Sequence, residues 1–151
     1  MTTDIDSLLA IRSYLEISPT LGTAGQPTAE QFKVVAEAGY TVVVNLALST
    51  SDHAIANEAE LVKSLGMTHF HIPVVWEAPT PVDLEIFFKV MQRNRHLKVF
   101  VHCALNMRVS AFVYLYRVFC LKENEPMAQA DLHRIWQPHP TWQAFIDQIL
   151  D

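Results

Sequence analysis

The sequence predicts an α/β fold: a central, mostly parallel sheet of four to five strands with helices on both faces. Three observations carry this. Short apolar, β-branched runs alternate with amphipathic segments, at distances that call for crossover connections rather than hairpins. The segment YTVVVNL (40–46) has an unbroken apolar centre, as a strand buried on both faces requires. Thr, Pro and Gly stand where helix capping chemistry would put them.

After a short N-terminal helical turn, SYLEI (13–17) is a strand and LGTAGQP a turn. A helix over 29–38 follows, because Thr28 with Gln31 makes a capping box and Gly39 stands at its C-terminal position. The strand over 40–46 leads to a helix over 53–65 closed by Gly66. THFHIPV (68–74) is the next strand and WEAPT a loop; Thr80 then caps a helix reaching 93, with Pro81 first and Asp83 in the first turn. HLKVFVH (96–102) supplies a further strand and 109–121 a helix. In RIWQPHPTWQAF, Trp136 and Trp142 pack a C-terminal helix capped by Thr141 onto the domain.

The 151 residues, 50% hydrophobic and 18% charged, fit one globular domain over 1–151 with a real core. The sequence shows neither a signal-peptide pattern nor an apolar run of about 18 residues to span a membrane, so a cytoplasmic protein is expected. A net charge of -5 without any dense Lys/Arg run argues against nucleic acid or an anionic membrane as partner. Cys103 and Cys120 stand at opposite ends of one predicted helix, too far apart to bridge, and are expected as reduced thiols.

The chemistry concentrates in VFVHCALNMRVSAF (99–112). Cys103 follows a strand, and parallel sheets gather ligands at the carboxyl ends of their strands. The helix beyond points its first amides and positive dipole end back at residues 103–108. Those donors suit an oxyanion cradled by Ala104, Leu105, Asn106 and Met107, and they favour Cys103 as a nucleophile. Arg108 adds a planar donor fork for a phosphate or sulfur oxyanion. Asn106 tolerates the positive φ that a tight anion-cradling turn needs, and Ser110 is placed to hydrogen-bond the sulfur. The competing reading is a buried thiol in an ordinary strand-to-helix turn, since cysteine is among the most buried residue types.

His102, Cys103, Arg108 and Ser110 resemble the His-Cys-loop-Arg-Ser/Thr signature of the tyrosine and dual-specificity phosphatases. GTAGQPTAEQF (22–32) is similar to the Ser-Gly-Gln-Pro-Thr/Ser-x-Glu-Gln opening of a bacterial branch of that superfamily. The resemblance runs from about residue 15 to 149. It implies a compact phosphatase-like fold, a phosphorylated substrate or oxyanion as ligand, and neither cofactor nor metal. In that family the cysteine attacks phosphorus to form a phosphocysteine and the arginine holds two phosphoryl oxygens. A carboxylic acid on a separate loop protonates the leaving oxygen and later activates water. His102, by the same resemblance, supports the loop and the thiolate from behind.

The chain departs from the family pattern twice: Arg108 follows Cys103 after four residues rather than five, and Asn106 replaces the usual loop glycine. One helical step turns a side chain by about 100°, so Arg108 reaches the same anion only with a shorter loop or a different helix start. Some members of the bacterial branch are similar in this spacing. The shorter loop also resembles that of rhodanese-like sulfurtransferases, whose smaller cradle suits a persulfide. A catalytically weak phospho-ligand binding module is a third reading. The GQPT segment, Ser110 and His102 favour the phosphatase side.

By the resemblance, the acid loop corresponds to VVWEAPTP, where Glu77 is the ionisable side chain. A general acid starts its cycle protonated; Glu is slightly nearer to that than Asp, and partial burial beside Trp76 would bring Glu77 nearer still. Asp83, already explained by the helix dipole, and Asp52, in LSTSDH, are the other candidates. His69 and His71 share one face of their strand, with His133 and His139 later in the chain, yet no zinc-site spacing occurs and no metal is expected. The sequence names neither the physiological phosphoester nor the oligomeric state.

Overall fold

In the computed structural model, which describes residues 4–151, the chain opens with α1 (Asp4–Leu9), β1 (Leu15–Ser18), β2 (Leu21–Ala24) and α2 (Ala29–Glu37). The first three residues of the N-terminal stretch read above lie outside those described. β3 (Val42–Asn45), α3 (Glu58–Ser64), β4 (Thr68–His71), α4 (Pro81–Arg93) and β5 (Val99–His102) follow, then α5 (Met107–Phe119), α6 (Glu125–Ile135) and α7 (Pro140–Leu150). The five strands form one sheet in the order β1-β2-β5-β3-β4, parallel except for β1, which pairs antiparallel with β2. Among the described residues no helix is long and apolar enough to cross a membrane.

Alternation along the central strands explains their unbroken apolar runs. Val43 and Phe100 point to one face, where Leu8 of α1, Phe32 and Val35 of α2 and Val62 of α3 cover them. Val42, Val44, Val99 and Val101 point to the other, against Leu84 and Phe87 of α4, Phe112 of α5, Leu132 of α6 and Phe145 of α7. Both faces are therefore dry, and the interiors of β3 and β5 hold only apolar side chains.

Several boundaries differ from the sequence expectation, each for a local reason. LGTAGQP is not simply a turn: it contains β2, which lies between β1 and β5. A Cβ on Gly22 would lie 2.2 Å from the Tyr40 hydroxyl oxygen, so this position takes glycine and the strand, Leu-Gly-Thr-Ala, lacks the valine run of β3. The helix expected over 53–65 begins only at Glu58, because His53 (φ 66) and Asn57 (φ 62) are left-handed and hold the intervening segment as a loop. α5 starts at Met107, two residues before the expected start at Val109, immediately after left-handed Asn106 (φ 67). α6, absent from the sequence reading, is capped by Asn124, whose side chain accepts from the Met127 amide. α7 begins at Pro140 with His139 at its N-cap, so Thr141 is not the cap. Trp142 is nonetheless fully buried, and its Nε1 donates to the Trp76 carbonyl over 2.8 Å.

Candidate active site

β5 lies between β2 and β3, so the chain leaving it emerges at the middle of the sheet's carboxyl edge. A cavity of about 310 Å³ opens there. Cys103, Ala104, Leu105, Met107 and Arg108 line it from the loop and the first turn of α5. Trp76 and Glu77 contribute from the loop after β4, and Ser51 and Asp52 from the loop after β3. Cys103 is 1% exposed yet borders this space, which reconciles its burial with access to a ligand.

Asn106 shapes the loop. Its left-handed backbone occupies the N-cap of α5, but its side chain makes no capping bond. Nδ2 instead donates away from the helix, to the Ser13 carbonyl (2.9 Å) and Thr23 Oγ1 (3.1 Å). The first-turn amides of α5 are left without a side-chain acceptor, at the positive end of the helix dipole. Open amides of this kind can accept an oxyanion.

The early helix start brings Arg108 to the same cavity. As the second residue of α5, Arg108 lines the cavity beside Cys103 while only 6% exposed. Its Nη1 donates to the Val74 carbonyl at 3.1 Å, Nη2 lies 3.5 Å from Ser51 Oγ, and the guanidinium sits 5.8 Å from the centre of the Trp76 ring. The fork is fixed to the loops after β3 and β4, with N–H groups to spare for a bound oxyanion.

Behind the loop lies a buried carboxylate. Glu58 Oε2 accepts from His102 Nε2 and His69 Nε2, each at 2.8 Å, and Oε1 accepts from Gln26 Nε2 at 2.9 Å. Burial alone would raise the Glu58 pKa, but the bonds from His102 and His69, the attraction of His102 and the Gln26 bond together hold it well below its ordinary 4.5. A carboxyl depressed in the folded state contributes stability that is complete above its unfolded value and is lost as pH falls through and below that value. The thermal stability of wild type is therefore expected to fall steeply as pH drops from about 5 to about 3, and Glu58→Gln to flatten that dependence; equal slopes would refute it.

The family model described as a DSP-PTPase phosphatase fused to NAD+ kinase matches residues 15–142. The chain belongs to this phosphatase family. Among solved structures, the chain is similar to a Shewanella putrefaciens protein described as a provisional phosphatase of a domain family of unknown function. The two are 34% identical, with 96% of this chain and 95% of that one covered and a TM-score of 0.85. The fold recurs in Pseudomonas aeruginosa TpbA, whose cysteine-to-serine variant was solved with phosphotyrosine (15% identity, 91% and 87% covered, TM-score 0.70). It recurs also in the core catalytic domain of a PP-IP phosphatase of S. cerevisiae in complex with citrate (13% identity, 91% and 85% covered, TM-score 0.75). No curated protein matches the chain.

The structure brings Cys103, Ala104, Leu105, Met107, Arg108, Glu77 and Asp52 around one cavity, and leaves others outside it. Ser110 does not meet the sulfur: its Oγ donates to the Met107 carbonyl (2.8 Å) and accepts from Trp136 Nε1 (3.0 Å), one turn along α5. The Asn106 side chain points away from the cavity, as described. Asp83 stands in the first turn of α4, its amide bonded to Thr80 Oγ1, and does not line the cavity. Glu77 is exposed at the cavity mouth rather than partly buried, because Trp76 turns inward onto Trp136, His139 and Trp142. His69 faces Glu58 and His71 the Ala47 carbonyl. Among the described residues, no group of three or more His, Cys, Asp or Glu side chains is arranged to hold a metal.

Sequence reasoning missed Glu58 and Ser51. Glu58 had two faint signals, the Gln of the GQPT segment and the first histidine of THFHIPV, which prove to share it as acceptor. Ser51 had none, since only the folded loop brings it to Arg108.

Proposed function

We propose that this phosphatase domain hydrolyses a phosphomonoester through a phosphocysteine on Cys103, in the manner of the tyrosine and dual-specificity enzymes. The observation that carries the reading is the single cavity shared by Cys103, the Arg108 fork and the open amides of α5. A phosphate dianion placed there meets a nucleophile and its charge stabilisers together. Neighbours of the same fold hold phosphotyrosine and citrate, both oxyanions.

The Cys103 thiolate attacks phosphorus, an S–P bond forms, and the P–O bond to the alcohol breaks. A carboxylic acid gives its proton to the leaving oxygen. The resulting carboxylate takes a proton from water as that water attacks phosphorus, and the S–P bond breaks to restore the thiolate with release of inorganic phosphate. Glu77 and Asp52 both border the cavity and are the candidates for this acid.

The test is release of inorganic phosphate from 4-nitrophenyl phosphate by wild type and Cys103→Ser, with thiosulfate-to-cyanide sulfur transfer in parallel. Loss of phosphate release on removing the thiol supports the reading; Cys103-dependent sulfur transfer without phosphate release replaces it with a sulfurtransferase. With Glu77 as acid, Glu77→Gln is expected to slow hydrolysis of alkyl phosphates on the order of 10²-fold, while nitrophenyl phosphate, whose leaving group needs little protonation, changes only a few-fold. Equal losses on both substrates remove Glu77 from that role, and the same contrast in Asp52→Asn assigns it to Asp52.

A further inference from the structure

The cysteine loop is gripped from behind through its carbonyl groups. His102 Nδ1 lies 3.3 Å from the Cys103 carbonyl oxygen, a bond it donates as the imidazolium whose Nε2–H goes to Glu58, and the Gln26 backbone amide donates to the Ala104 carbonyl at 3.0 Å. In a planar trans peptide the C=O and the N–H of the next residue point in opposite directions. Holding the Cys103 and Ala104 carbonyls backward therefore turns the amides of Ala104 and Leu105 forward, and both residues line the cavity.

His102 and Gln26 converge on one side chain. Glu58 accepts from the ring of the first and the amide of the second, and both bonds are buried. Every group facing this carboxylate is a donor, so only an acceptor-only side chain satisfies all of them. The GQ segment is in turn seated closely on the loop: a Cβ on Gly25 would lie 2.5 Å from the Ala104 carbonyl oxygen, so that glycine is what permits the contact.

We propose that Glu58 is a positioning residue which, through His102 and Gln26, aims the Ala104 and Leu105 amides at the bound oxyanion. The role rests on the oxyanion reading of the cavity given above. Glu58 never touches the ligand. It replaces loop rigidity that a shorter, glycine-free cysteine loop would otherwise have to supply alone, and it explains why a segment some eighty residues upstream of Cys103 in the chain is part of the site.

His69 provides the control, because it binds the same carboxylate from β4 but makes no hydrogen bond to the loop. Isotope-labelled wild type, Glu58→Gln, Gln26→Met and His69→Gln are titrated with inorganic phosphate while the Ala104 and Leu105 amide resonances are followed by NMR. Wild type is expected to show phosphate-dependent shifts at both amides. Glu58→Gln is expected to lose those shifts and to bind phosphate at least about 10-fold more weakly, with Gln26→Met changed in the same direction and His69→Gln within about two-fold of wild type. Gln26→Met keeps the test decisive should Glu58→Gln not fold. Wild-type shifts and affinity in Glu58→Gln or Gln26→Met overturn the proposal, as does a His69→Gln loss equal to theirs, which would mark a general loss of rigidity. Absence of any phosphate response in wild type overturns the oxyanion reading itself, a result distinct from these.

Discussion

Cys103→Ser is expected to reduce phosphate release by about 10⁴- to 10⁶-fold, the scale seen when a nucleophile is removed from an otherwise intact site. A serine hydroxyl in the same place needs a base to take its proton. The adjacent His102 cannot serve, since both of its ring nitrogens face backward, one to Glu58 Oε2 and the other to the Cys103 carbonyl. The Arg108 fork and the open amides of α5 stay in place, so phosphate affinity is expected to remain within a few-fold of wild type. A steady-state assay on nitrophenyl phosphate read beside calorimetric phosphate binding separates the two effects. Turnover preserved within 10-fold in Cys103→Ser would remove the covalent step from the mechanism.

The parts of this molecule legible in its sequence are those governed by neighbours in the chain. The capping box at Thr28 and the cap at Thr80 form as their spacing requires, and the buried run 40–46 contains a central strand. Asn106 adopts the positive φ expected of it. What was hidden depends on contacts between distant segments. β2 is a strand because Tyr40 and β5 pack on it, and its small residues advertise nothing locally. Glu58 lies 44 residues from His102 and 32 from Gln26, so its burial is visible only in the fold. Ser110 is misread for a related reason. In sequence it stands in register with the family's serine, but the helix begins early enough to carry its hydroxyl to Trp136. The same early start that displaces Ser110 delivers Arg108 to the cavity.

The displaced arginine gives the second large effect. Arg108→Ala is expected to lower kcat/KM for nitrophenyl phosphate on the order of 10³-fold and, unlike Cys103→Ser, to weaken phosphate binding as well. Arg108→Lys tests why the residue is arginine. The wild-type fork is anchored to the Val74 carbonyl through Nη1 and faces Ser51 through Nη2, and its remaining N–H groups are what an oxyanion can use. A lysine ammonium is a single point and cannot bond the Val74 carbonyl while presenting a planar pair of donors to phosphate. Arg108→Lys is therefore expected to recover little, staying within about 10-fold of Arg108→Ala. Ser51→Ala leaves the Val74 anchor intact and should lose less than either. If lysine restores near-wild-type turnover, positive charge alone suffices at this position and the fixed fork has no part in stabilising the transferred phosphoryl group. If it does not, the one-residue shift from the family spacing is compensated by the anchors after β3 and β4, which bring the guanidinium to the anion from its new place on the helix.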